Sequence, residues 1–383
     1  MLRHPSMNKV WPFIFFFLFF AAVAAYTPFL VLYYQSLGFS GSQIGLLTGI
    51  PPLVTMASVP VWTRVADRTN RYRLFMSISL LGAAGAVALY PFLTSFAAVL
   101  VVTLFANLFF APAFAFANSA TMFMLGDEKD LYGRLRLGGT IGFGAAAAIA
   151  GVLVDRFGLP LAFWLGASFL VASFLVSLKL VNGQEETEET EDARGINDLL
   201  RQPVWIVFLL LAFIAGVGMA AVSNYFFPYM GELGASETAM GMAVAVGTIA
   251  EIPVMLLANR FIGRFGDYGT SILATAFTGL RLVLFGLVDS TAAVLLIQVI
   301  NGLGTPLFMV AGVHYADQLA PPGLHATSQG LLNAVMLGVG VAVGGFLSGL
   351  LLVTIGAQAL LLVTGLFMLV VMGIAVFLHQ KFA

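Results

Sequence analysis

Twelve stretches of 18 or more mostly apolar residues, parted by short polar or Gly/Pro breaks, limit what this chain can become. They lie near residues 10–35, 42–63, 73–92, 96–124, 134–155, 160–180, 203–231, 237–258, 270–288, 291–316, 326–352 and 357–379. Each is long enough to cross roughly 30 Å of hydrocarbon at about 1.5 Å per helical residue. Backbone groups in lipid must be satisfied within the segment, so every stretch is expected to be a transmembrane α-helix. Composition agrees: 60% of the 383 residues are hydrophobic and 9% are charged, against about a quarter charged in a soluble domain. The expected fold class is an all-α membrane protein with twelve transmembrane helices.

The first 25 residues imitate a signal peptide, with Arg3 and Lys9 ahead of "FIFFFLFFAAVA". The apolar run continues through "YTPFLVLYY" to residue 34, which is long enough to span rather than to be removed. Placing both termini in the cytoplasm puts all of the 17 basic residues at the inner face except Arg156, in an outer loop, and Arg281, inside a span. That asymmetry is the positive-inside signature. A net charge of −1 with no sustained basic patch gives no reason to expect nucleic acid as a partner. Zero cysteines exclude disulfides and thiolate metal sites, and the four histidines are scattered. No P-loop lysine pattern, metal-ligand spacing or nucleophile elbow is present, so neither an enzyme nor a bound cofactor is expected.

The acidic run "NGQEETEETEDARG" (182–195) reads as a cytoplasmic linker. It divides the chain into an N-terminal six-helix bundle (1–181), the linker (182–202) and a C-terminal six-helix bundle (203–383). A shift of 196 residues pairs Tyr33 with Tyr229, Gly38 with Gly234, Ser40 with Ser236, Gly45 with Gly241, Arg64 with Arg260 and Arg68 with Arg264. The same shift pairs Gly142 and Gly144 with Gly338 and Gly340. A parallel duplication of this kind is a known transporter layout.

Three stretches carry a family resemblance. "VWTRVADRTNRYR" (61–73) resembles the Gly-x-x-x-Asp-Arg-x-x-Arg-Arg motif of the major facilitator superfamily, with Asp67, Arg68 and Arg71 in place and Thr63 at the glycine. "NRFIGRFGD" (259–267) is similar to its degenerate second-half copy. "YGRLRLGGTIGF" (132–143) and "YADQLAPPGLHATSQGLL" (315–332) resemble the lactose-permease-like and phenylpropionate-permease-like proton symporters. The resemblance covers nearly the whole chain. It implies two pseudo-symmetric six-helix bundles, a site between the halves near the midplane, protons as coupling ion, and a monomer in the bacterial inner membrane.

Carried over residue by residue, the resemblance is incomplete. Arg136 falls on a sugar-binding arginine, Phe143 on a stacking tryptophan, Asn118 on a sugar-binding glutamate and Arg281 on a proton-coupling arginine. The histidine and glutamate that complete that machinery fall on Asn301 and Gly304, and a further glutamate falls on Thr248, three residues from Glu251. Lactose itself is not expected, and proton coupling must run through other residues or be absent.

The residues say more on their own. Glu251 is the one carboxylate well inside a span, about 13 Å from the inner face; Arg281 lies about 16 Å from it by the helical rise. A buried arginine costs roughly 2.5–3.5 kcal/mol on insertion scales, so it needs a partner or a task. The two form either a static pair that serves packing, or a proton-coupling pair with Glu251 as the titrating group, or Arg281 binds an anion. Arg134 and Arg136 lie about 200° apart on their helix, so only one can face inward. Arg136 shares its stripe with Thr140 and Phe143. Other candidate substrate contacts are Tyr26, Asn224, Asn301 on the Gln298–Asn301–Thr305 stripe, and Asn333 on the Gln329–Asn333–Met336 stripe. A polar side chain facing lipid is costly, so these are expected to face protein or water, as ligand contacts or interhelical glue. Asp67, Arg68, Arg71 and Asp317 are expected to act in gating.

The expected function is a secondary carrier working by alternating access on a small organic solute. An aromatic or other organic anion moved with protons comes first. A sugar or nucleoside symporter, a drug exporter, a passive channel and a carrier-fold membrane sensor are the alternatives.

Overall fold

The computed structural model describes residues 9–181, 199–321 and 324–382; the acidic run at 182–195 lies outside them. Among the described residues, ten continuous helices are long and apolar enough to cross a membrane. Two of them break at a glycine in the left-handed region, at Gly266 (φ 70°) and Gly356 (φ 79°). A Cβ there would cost roughly 1–2 kcal/mol, which is why glycine turns the chain at both places. Counting the arms on each side gives the twelve helices. We number them α1 (Val10–Ser36), α2 (Gly41–Thr69), α3 (Tyr72–Phe92), α4 (Phe96–Leu125), α5 (Tyr132–Phe157), α6 (Pro160–Ser177) and α7 (Pro203–Glu232). The rest are α8 (237–265), α9 (267–287), α10 (Thr291–Leu319), α11 (325–355) and α12 (357–382). Large apolar side chains such as Leu256 and Leu296 are each 75% exposed, which suits a surface solvated by lipid rather than by water.

The described residues fall into two compact units. One is Met1–Tyr33, Val54–Thr187 and Met240–Ala245; the other is Tyr34–Leu53, Glu188–Ala239 and Val246–Ala383. In the first unit α1 packs on α5 through glycine: a Cβ on Gly138 or Gly142 would run into the backbone oxygen of Phe13 or Phe17. The aromatic core beside it stacks Phe19 on Phe110 with 4.5 Å between ring centres. In the second unit α7 packs on α11 in the same way, with Gly340 set against the backbone oxygen of Phe213 at 2.7 Å from its would-be Cβ.

The duplication is written into the backbone. Gly38 and Gly234 both have positive φ (75° and 71°), and so do Asn70 and Gly266 (52° and 70°), each pair 196 residues apart. Tyr33 donates its hydroxyl proton to the Tyr90 carbonyl at 2.6 Å; its counterpart Tyr229 donates to the Val288 carbonyl at 3.3 Å. Later in each half the register changes. Gly158 and Gly356 form the next positive-φ pair, 198 residues apart. Phe17 meets Gly142 as Phe213 meets Gly340, and Gly241 packs on Gly151 as Gly45 packs on Gly349. The structural partner of Gly142 is therefore Gly340, not the Gly338 that a uniform shift assigns. Two extra residues enter between 266 and 340, a stretch that holds a 3₁₀ run at Gln298–Leu303 and a π-helical segment at Ala334–Gly340.

These contacts predict a selective cost. Gly142→Val should lower the thermal unfolding midpoint of the detergent-purified protein markedly, since overpacking against backbone costs roughly 1–3 kcal/mol or more. Gly263→Ala, where nothing lies within 4 Å of the added Cβ, should leave it within error. Equal midpoints for the two variants would refute the close-packing account.

Candidate functional site

Two polar clusters stand out, one in each unit. The first is built on α1, α4 and α5. Arg136 lies 4.0 Å from the centre of the Phe20 ring, 5.3 Å from Phe114 and 5.5 Å from Phe16. Phe16 and Phe20 share one face of α1 at a spacing of four, which lets two rings meet one guanidinium. The Tyr132 side chain, one turn earlier on α5, lies within electrostatic reach of Arg136. Tyr132 in turn donates to Asn118 Oδ1 at 2.9 Å. Two candidates from sequence, Arg136 and Asn118, thus share as neighbour a tyrosine that sequence reasoning did not single out. Arg134 is exposed while Arg136 is half-buried, as their separation on the helix requires.

The neighbouring candidates are more embedded. Phe143 packs against the buried group Ala21, Ala24, Ala146 and Ala147, and Thr140 is half-buried one turn away. Tyr26 is 6% exposed, and a Cβ on Gly166 would lie 2.7 Å from its ring. Its ring packs against α6.

The second cluster joins α8, α9 and α10. Asn301 stands between the buried Arg281 and the half-buried Glu251: its Oδ1 accepts from Arg281 Nη1, and its Nδ2 donates to Glu251 Oε1 at 2.6 Å. The same Nδ2 reaches the Gly247 carbonyl at 3.3 Å. The amide orientation is dictated by chemistry, since a guanidinium only donates and a carboxylate only accepts. Glu251 and Arg281 therefore meet through a bridge rather than directly. Arg281 is 4% exposed and Gln298 is 4% exposed.

The local backbone explains the grouping. In the 3₁₀ run of α10, side chains three apart eclipse, so Gln298 and Asn301 line up where an α-helix would splay them. Both lie 3.4 Å from the place a Cβ on Gly247 would take, and glycine is what lets α10 come this close to α8. Gly304 ends the run against α9, where a Cβ would sit 2.5 Å from Thr278 Oγ1. A new α-helical stretch starts at Thr305, with Pro306 as its second residue, so the 3₁₀ register of Gln298 and Asn301 does not extend to Thr305.

The remaining candidates lie apart from these clusters. Asn224 bonds back to the Ala220 carbonyl at 3.0 Å within α7. Asn333 is exposed although Met336, three residues on, is buried, because the π-helical segment begins at Ala334 and alters the spacing of faces. The stripe read as Gln329–Asn333–Met336 is thereby broken. Asp67 Oδ1 accepts from the Tyr72 hydroxyl at 2.6 Å, with Arg68 and Arg71 exposed beside it. Asp317 meets His325 at 2.9 Å across the start of α11. A buried knot missed by sequence ties α2, α7 and α11: Tyr225 donates to the Gly345 carbonyl at 2.7 Å and lies 2.9 Å from Thr48 Oγ1.

Known proteins resemble this chain along most of its length. Maltose permease of Geobacillus stearothermophilus is 28% identical over 350 residues, covering 89% of this chain and 88% of the permease. Xanthosine permease of Escherichia coli is 23% identical over 337 residues, covering 82% and 81%. A crystal structure of the nucleoside transporter NupG superposes with a TM-score of 0.85 at 18% identity, covering 97% of this chain and 98% of that one, and supports the fold. The MFS_1 like family matches residues 11–363. Joined to the twelve-helix architecture, that match decides the family: the protein belongs to the MFS_1 like family, and is a major facilitator superfamily transporter that carries small organic solutes across a membrane.

Proposed function

We propose that the protein is a proton-coupled carrier for a neutral ring-bearing solute, a sugar or a nucleoside. The observation that carries this reading is the link that Asn301 makes between Arg281 and Glu251, which puts a carboxylate one amide away from the guanidinium. A guanidinium held by an amide, with a carboxylate just behind it, offers less to an anion than a free one would. What the two clusters present instead is amide groups, a tyrosine hydroxyl and aromatic faces, the groups that hold hydroxyl-rich rings. The names of its relatives, a maltose permease, a xanthosine permease and a nucleoside transporter, support the same solute class. Arg136 and Asn118 are assigned to solute binding, with Thr140 and Phe143 alongside. Glu251 and Arg281 are assigned to coupling, and the two six-helix halves to the alternating movement. The basic-residue asymmetry supports cytoplasmic termini in a bacterial inner membrane, and a monomer suffices for this scheme.

One observation favours a second reading. Arg136 is answered by rings and a tyrosine rather than by a carboxylate, which suits an aromatic or other organic anion. Proteoliposome uptake with maltose, xanthosine and benzoate as probes separates the two. A substrate-dependent proton flux with maltose or xanthosine, reduced at least tenfold by Arg136→Ala, is the expected result. Flux with benzoate alone would instead establish the anion carrier, and labelled counterflow with no proton signal would remove coupling from the scheme.

A further inference from the structure

Two buried polar atoms beside the coupling pair have no hydrogen-bond partner: the donor Arg281 Nε and the acceptor Gln298 Oε1. Both belong to side chains 4% exposed, and orphaned groups so deep in a membrane protein call for a reason. The partnered atoms nearby are fully committed. Arg281 Nη1 is taken by Asn301, and Asn301 Nδ2 by Glu251 and the Gly247 carbonyl. Gln298 lies one 3₁₀ turn from Asn301 on the same line of α10, set against the same glycine of α8. The cluster thus holds one arginine and two amides in a row, with only one amide in use.

We propose that Asn301 and Gln298 are the two ends of a proton-reporting relay, Asn301 holding Arg281 while Glu251 is ionised and Gln298 receiving it when Glu251 is protonated. The proposal rests on the reading that this carrier is proton-coupled. The step adds one proton from the aqueous phase to a Glu251 carboxylate oxygen; otherwise only hydrogen bonds break and form, and Arg281 keeps its charge throughout. An ionised Glu251 draws the Asn301 amide nitrogen, which fixes Oδ1 toward Arg281. A protonated Glu251 carries a donor of its own, so the Asn301 carbonyl can turn to it, and Arg281 loses its acceptor. Gln298 Oε1, a neutral acceptor with no donor, then receives the guanidinium. Among the described residues, the charged group acting on Glu251 is Arg281 of α9; α10 meets it through the uncharged Asn301. Asn301 and Gln298 are positioning residues in this scheme, since they act through Glu251 and Arg281.

The test uses the full-length protein in proteoliposomes and compares wild type with Asn301→Leu and Gln298→Leu. Two quantities are read: protons moved per solute molecule, with maltose or xanthosine as probe, and the infrared carboxyl band that Glu251→Gln abolishes. The expected result is a wild type that moves protons, a proton-to-solute ratio at least tenfold lower in each leucine variant, and a displaced band in both. The band decides the matter even for a variant too slow to assay. Wild-type ratio and band in either variant would overturn the relay and leave coupling intact. A wild type that carries solute without protons would overturn the coupling reading itself, and the relay with it.

Discussion

Arg281→Ala should reduce solute uptake by two to three orders of magnitude and lower the thermal stability of the purified protein. Removing one member of a buried ion pair leaves the other uncompensated, at a cost of roughly 3–5 kcal/mol, and each 1.4 kcal/mol is about tenfold. Here the group left behind is the half-buried Glu251, held by the Asn301 amide. Part of the loss is therefore structural, and a second variant separates the parts. Arg281→Ala combined with Glu251→Gln removes both charges and should recover most of the lost stability. It should not recover uptake. A double variant that transports as well as the wild type would reduce the pair to a packing device, the static alternative that the sequence left open.

Glu251→Gln alone should abolish the dependence of uptake on an imposed pH gradient, with the acceleration by an inward proton gradient falling at least tenfold. Glutamine can still accept from Asn301 Nδ2 at the position Glu251 Oε1 now occupies, so local packing is largely kept. What it cannot do is bind and release a proton in the working range. The side chain also no longer offsets Arg281, so an anion such as benzoate should compete with the transported solute more strongly than in wild type. The measurement is initial uptake in proteoliposomes across a series of internal and external pH values. Gradient-driven uptake equal to wild type would remove Glu251 from the mechanism.

Much of the fold was legible because lipid imposes a coarse rule: apolar runs of sufficient length must be helices. The tight turns at Gly266 and Gly356 also fell in the gaps between the expected spans, at 259–269 and 353–356. The site was less legible, for reasons of backbone shape. Periodicity arguments assume 3.6 residues per turn, and α10 and α11 abandon that value near the residues of interest. Asn301 was placed among candidate contacts, but the assumption of a regular helix could not show that it bridges Glu251 and Arg281. For Asn333 the same assumption gave a stripe that the π-helical segment breaks. Tyr132 and Phe20 escaped notice because aromatic residues are plentiful in this chain, 13% of all positions, and nothing in one sequence separates the ring over Arg136 from the rings in the core.

The membership of residues 34–53 bears on how the chain could be divided. These residues come before the acidic run in sequence, yet they cluster with the C-terminal half, and Gly41, Gly45 and Gly49 press against the backbone of α11. A gene cut within 182–195 would make two polypeptides, one of which carries part of the other's interior. Reassembly would then require the N-terminal fragment to thread that stretch into place, rather than merely to dock two finished faces. Separately expressed halves should associate only when made together, and a bulky residue at Gly45 should act as a barrier to their assembly.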